Sequence, residues 1–200
     1  FYTHTGTLRG ERITVMSTGI GTENIDIVMN ELDALVNIDL KHKEIKSDKK
    51  SLQLFRMGTC GSVNPDVEVD NMLVSENVVG LDGLLHFYID YAFENEFSKN
   101  FLEKFPYEKI KPLLYFSEWT ASQYEYFKDA KYVGNTATFP GFYAPQGRQL
   151  RLKSTDDQFL EVLNDLGVTN FEMETSAIYG LSKLLGHKAI TINNVIANRR

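Results

Sequence analysis

A single cysteine, Cys60, occurs in the 200 residues. One thiol excludes an internal disulfide and any multi-cysteine metal site, and it points to a reducing compartment. Histidine is equally sparse. His4, His42, His86 and His187 are scattered, and none stands in a metal-holding spacing such as H-E-x-x-H. Basic charge is in deficit, with 21 Lys and Arg against 27 Asp and Glu and a formal net charge of −6. No overall positive field therefore draws in nucleic acid or an anionic membrane surface, and any anion must be held by local groups. No apolar run approaches the roughly 18 residues of a membrane span, and the start lacks a basic segment followed by an apolar one. Repeats, low-complexity tracts and an interdomain linker are missing as well. Together these absences predict a soluble, cytoplasmic protein with no metal.

What is present suits one globular domain over residues 1–200, since 42% of the chain is hydrophobic and its length can bury a sizeable core. Arg12 to Met16 is a β-rich run leading into Ser17-Thr-Gly-Ile-Gly21, after which Ile25, Val28, Met29, Leu32 and Leu35 recur at helical spacing. The first residue is Phe1, and the chain is already strand-like at Thr14-Val15-Met16, so a preceding piece is expected to be absent. After a charged stretch over 41–53, Leu52 to Arg56 reads as a strand ending in a Gly58-Thr-Cys-Gly61 loop. Further strands are expected at 72–79, 131–134, 169–173 and 188–192, with helices over 156–166 and 176–185. Residues 81–105 show no clean period. The alternation indicates an α/β fold with a twisted mixed, largely parallel, central sheet flanked by helices.

Four segments carry chemistry, and each has a plain structural alternative. Gly19-Ile-Gly21 between strand and helix suits backbone donation to an anion, but it lacks the third glycine of a dinucleotide fingerprint and serves equally as a turn. Arg56-Met-Gly-Thr-Cys-Gly61 offers a forked cation, a hydroxyl and glycines that let amides approach an oxyanion; the bland reading is an arginine beside a turn. Phe142-Tyr-Ala-Pro-Gln-Gly-Arg148 combines an aromatic ring, an amide and an arginine, able to stack on a heterocycle and bond its edge, or to be a solvated loop. Asn170-Phe-Glu-Met-Glu-Thr175 sets two carboxylates at i and i+2, sharing a strand face where one can grip sugar hydroxyls, or standing in a helix's first turn. Cys60, in a glycine turn, reads as a small buried side chain rather than a nucleophile.

In this order the segments resemble the nucleoside phosphorylase and uridine phosphorylase family from about Met16 to Arg199. The most specific pieces are R-x-G-T-x-G at Arg56 to Gly61, F-Y-x-x-Q-x-R at Phe142 to Arg148 and N-[FY]-E-M-E at Asn170 to Glu174. The resemblance implies that Arg56 and Thr59 hold phosphate, that Gly61 lies against the base, and that Met173 and Glu174 face the ribose with Glu172 beside the sugar. It also implies that Gln146 and Arg148 read a uracil edge with Phe142 packed near the base. Arg199 resembles the further arginine of the pyrimidine-specific branch. Purine-cleaving relatives use an aspartate near this last strand, and Ile190 to Arg200 contains no Asp or Glu. The early G-D-P-x-R phosphate loop, a histidine and an arginine lent to a neighbouring subunit, and the helix after the last strand have no counterpart here. The resemblance therefore implies a domain incomplete at both ends.

The implied reaction is phosphorolysis of uridine or a related pyrimidine nucleoside to uracil and ribose 1-phosphate, with inorganic phosphate as co-substrate and no other cofactor. Arg56, Glu174, Gln146 and Arg148 are the catalytic candidates. The implied partners are the small-molecule nucleoside, phosphate and copies of the same chain, in dimers or trimers of dimers that share active sites. A hydrolytic nucleosidase is the nearest rival, which Arg56 argues against. A non-catalytic nucleoside-binding protein and a Rossmann-like cofactor protein are the others. The choice among uridine, thymidine and deoxyuridine stays open, because Glu174 can grip one sugar hydroxyl or two.

Overall fold

The computed structural model describes the whole chain except residues 121, 123, 124, 128, 155, 157 and 200. Its central sheet contains six strands: β5 (Gln53–Ser62), β6 (Met72–Gly80), β7 (Tyr115–Glu118), β8 (Tyr132–Thr138), β9 (Val168–Glu172) and β10 (Lys188–Asn198). They lie in the order β10-β5-β9-β8-β6-β7, and β10 also pairs with β6. That extra pairing bends the sheet into a ring: β6 carries β8 along one edge, and β10 followed by β7 along the other. The sheet is mixed, as expected, and its longer ladders, β10 with β5 and β6 with β8, are parallel. The join between β5 and β9 is short and antiparallel, consisting of Gly61 opposite Phe171 and Ser62 opposite Asn170.

Among the described residues, four helices cover this sheet: α1 (Thr22–Asn37), α2 (Glu96–Lys104), α3 (Phe159–Asp165) and α4 (Thr175–Leu185). Ile25, Val28 and Met29 of α1 are buried at the predicted spacing, but Leu35 at the end of that series is exposed. Ile25 and Met29 join Ala177, Ile178, Tyr179 and Leu181 of α4 in one core cluster. A second cluster, rich in phenylalanine, gathers Phe101 and Phe105 near α2, Leu163 of α3, and Phe116, Phe139 and Phe171. Within the stretch that shows no period, α2 starts at a capping box, Asn95 accepting from the Ser98 N–H while the Ser98 hydroxyl accepts from the Asn95 N–H.

Two expectations need correction. Gly58 to Gly61 is not a loop after β5; it is the second half of that strand, paired with β10 from Asn193 onward across a register shift between Val195 and Ala197. Arg12 to Met16 is a strand, β2 (Glu11–Met16), yet it pairs with β1 (Thr3–Leu8) in a separate hairpin rather than joining the central sheet. Nearly all of that hairpin is exposed. A second small hairpin, β3 (Ile38–Asp39) with β4 (Glu44–Ile45), interrupts the charged stretch.

Candidate active site

β5 and β9 part company just before Gly61, and the chain beyond β9 turns at once into α4. Arg56 and Gly58, two residues apart on β5, share the face that looks into this parting. A Cβ on Gly58 would sit 2.4 Å from Arg56 Nη1, so the bare glycine gives the guanidinium room to lie along the strand. From there Nη2 donates to Glu174 Oε2 at 2.5 Å and approaches Glu172 Oε2 at 3.1 Å, while Nη1 donates to Asn193 Oδ1 at 2.5 Å. Burial alone would lower the Arg56 pKa, but Glu172 and Glu174 more than offset it and hold it above its ordinary value. The cation is permanent.

The two carboxylates have different tasks. Glu172 accepts from the Glu174 and Thr175 N–H groups at 3.0 and 2.9 Å and from the Thr138 hydroxyl at 2.7 Å. It therefore caps the N-terminus of α4, where orphan N–H groups and the helix dipole favour an anion. Glu174 accepts instead from the Gly21 N–H at 2.7 Å, through a turn whose glycine has φ +97°. Burial and the adjacent Glu172 charge push the Glu174 pKa up, against the pull of Arg56 and the Gly21 N–H.

A second group lies around Phe171, the residue before Glu172 on β9. A Cβ on Gly61 would fall 2.5 Å from the Phe171 ring, so this ring packs directly on the glycine backbone. Arg148 sits 5.9 Å from the Phe171 ring centroid and 3.8 Å from that of Phe142. It donates to the Phe142 carbonyl at 2.8 Å and to the side-chain oxygen of the buried Gln146. Burial, then the positive charge of Arg199, lower the Arg148 pKa, so two arginines face one region. β9 thus links an ion cluster around Arg56 to an aromatic, amide and arginine cluster around Arg148. An anion fits the first, and a flat heterocycle with polar edges fits the second.

The sequence profile of the Phosphorylase superfamily matches residues 1–199. The chain belongs to this superfamily. It is 28% identical over 202 residues to a uridine phosphorylase of Thermococcus kodakarensis, an alignment covering 100% of this chain and 62% of that relative. It is also 28% identical over 200 residues to a DeoD-type purine nucleoside phosphorylase of Oceanobacillus iheyensis, covering 97% of this chain and 67% of the relative. Among solved structures, a nucleoside phosphorylase of Trypanosoma brucei, described as showing uridine phosphorylase activity, superposes with a TM-score of 0.81 at 27% identity. That match covers 98% of this chain and 74% of the other.

Within this superfamily chain, the structure gathers most of the residues singled out by sequence and separates one. Arg56, Glu172 and Glu174 meet, as do Phe142, Gln146 and Arg148, with the Arg199 charge felt at Arg148 and the half-buried Met173 between Glu172 and Glu174. Thr59 stands three residues from Arg56, so strand alternation turns it to the opposite, exposed face of β5. The structure does not bring its hydroxyl to the guanidinium. Glu172 is engaged by the α4 N-terminus, Thr138 and Arg56. Sequence reading missed Asn193, whose signal was available: Asn193-Asn194 interrupts a run of Ile and Val in a strand, where asparagine is depleted. Cys60 is buried and its thiol is pushed up to about 12, in keeping with an inert side chain. Among the described residues no cluster of three His, Cys, Asp or Glu could hold a metal ion, and no helix is long and apolar enough to cross a membrane.

Proposed function

We propose that this chain carries the nucleoside site of a pentosyltransferase that cleaves uridine, or a closely related pyrimidine nucleoside, with inorganic phosphate. The observation that carries the reading is the pairing of a buried, permanently charged Arg56 at Glu172 with a Gln146 and Arg148 edge-reader beside Phe171, the preceding residue of the same short strand. In the reaction, phosphate held by Arg56 attacks the anomeric carbon while the bond to the base nitrogen breaks and its electron pair leaves with the base. The sugar becomes cation-like and the base anion-like. Glu174 orients the ribose through its hydroxyls, and Arg148 with Gln146 stabilises charge gathering on the uracil. Ribose 1-phosphate and uracil are the products.

The pyrimidine assignment rests on Arg148 and Arg199 together, and on the lack of any acidic residue from Ile190 to Arg200. The names of the relatives include both pyrimidine and purine enzymes, so they support nucleoside phosphorolysis in general. The reading carries with it a cytoplasmic protein of pyrimidine salvage that works as a homo-oligomer. Its test is uracil release from uridine at saturating phosphate and in phosphate-free buffer. Release that requires phosphate is expected, with inosine a poor substrate. Equal release without phosphate would mean a hydrolase.

A further inference from the structure

The guanidinium of Arg56 is held from behind by a side chain that does not face the cleft. Asn193 is completely buried in β10, and its Oδ1 accepts from Arg56 Nη1 at 2.5 Å. Its Nδ2 donates to the Ser75 hydroxyl on β6 at 3.3 Å. The Thr136 hydroxyl of β8 donates to that of Ser75 at 2.6 Å and lies 2.8 Å from Asn170 Oδ1 on β9. Ser75, Thr136 and Asn170 are all completely buried.

The sense is fixed at Asn193. A guanidinium can only donate, so the Asn193 oxygen faces Arg56 and its Nδ2 is left to donate to Ser75. The chain runs from Arg56 through Asn193, Ser75 and Thr136 to Asn170, crossing every strand of the ring from β5 to β9. In a buried interior such a chain is stiff because every broken link leaves a buried group without a partner.

We infer that Asn193 is a positioning residue for the phosphate-binding arginine, and that the Ser75–Thr136–Asn170 chain sets the direction in which Arg56 presents its N–H groups. This deepens the proposed function and rests on its reading that Arg56 holds phosphate. Glu172 and Glu174 grip Nη2 from the side of the α4 N-terminus; Asn193 supplies the second point, at Nη1, that stops the planar group from rotating about its stem. A planar fork bound at two points is oriented, whereas one bound at one point is only attracted.

The test measures dissociation constants for inorganic phosphate and for uridine separately, on the protein and on Asn193→Ala, Ser75→Ala and Arg56→Gln. Asn193→Ala is expected to weaken phosphate about tenfold, the effect of one lost hydrogen bond to a charged group, while uridine changes by less than about twofold. Ser75→Ala leaves the Asn193 oxygen in place but removes the anchor of its amide. It is expected to weaken phosphate about two- to threefold, and it keeps the inference testable should Asn193→Ala not fold. Loss of both ligands in equal measure, or no change in phosphate binding in either variant, overturns the positioning role. Unchanged phosphate binding in Arg56→Gln removes instead the reading beneath it.

Discussion

Two glycines of β5 illustrate how one residue type serves different ends three positions apart. At Gly58 an added methyl would meet the Arg56 guanidinium, the far end of a flexible side chain, whereas at Gly61 it would meet the Phe171 ring in the phenylalanine-rich core. Gly58→Ala should therefore displace the cation from Glu172 and Glu174, raising the phosphate concentration needed for half-maximal rate as well as lowering stability. Gly61→Ala should cost about 1–3 kcal/mol of stability through overpacking. Urea denaturation set beside phosphate titration separates the two; an equal change of phosphate dependence in both variants would contradict the difference in surroundings. Neither distinction was visible in the sequence, where both glycines belong to one motif. The motif did reveal residue types suited to an anion, and Arg56 stands where it was expected. Thr59 was misplaced because the segment was taken for a loop, in which all side chains can converge, when it is a strand, in which alternate ones diverge.

Among elements, α4 owes its start to a residue outside it. Glu172 ends β9 and receives the first N–H groups of the helix while also facing Arg56. Glu172→Ala should lower stability by about 3–5 kcal/mol, since it leaves a buried arginine short of its partner as well as removing the cap, and chemical denaturation reads the loss. At the other end of α4, His187 leads into β10, accepts from the Leu52 N–H at 3.3 Å and holds its Nε2 3.3 Å from Asp33 of α1. Burial, opposed by Asp33, keeps its pKa below the ordinary 6.5. The unfolded chain then takes up the proton first, so the stability present above pH 6.5 is lost as pH falls through the depressed folded value. His187→Asn should flatten that slope in melting temperatures measured from pH 7 down to 5. Regular elements such as α4 and β6 were legible because their apolar residues recur with a period. The aromatic stretch over 81–105 was not, since its side chains are placed by contacts with distant Phe116 and Tyr115 rather than by any local repeat.

For the molecule as a whole, the β1–β2 hairpin stands apart from both cores, and a two-stranded ribbon without a buried face is marginal in water. Its amides should exchange with solvent well before those of β5, β6 and β10, and hydrogen exchange followed by fragment mass analysis shows the order; protection equal to that of β10 would mean the ribbon is covered in solution. The strand sequence was readable from the chain, but its closure was not, because the pairing of β10 with β6 links residues more than a hundred positions apart. That closure makes the short join between β5 and β9 important. Two residue pairs stitch it, and past them the two walls are linked by Arg56 reaching to Glu172 and Glu174. On the side of Arg56 the two walls are held by charges instead of by peptide hydrogen bonds. An oxyanion drawn to Arg56 competes with the bonds that hold the wall shut, so occupancy and the tightness of the barrel are one equilibrium seen from two sides.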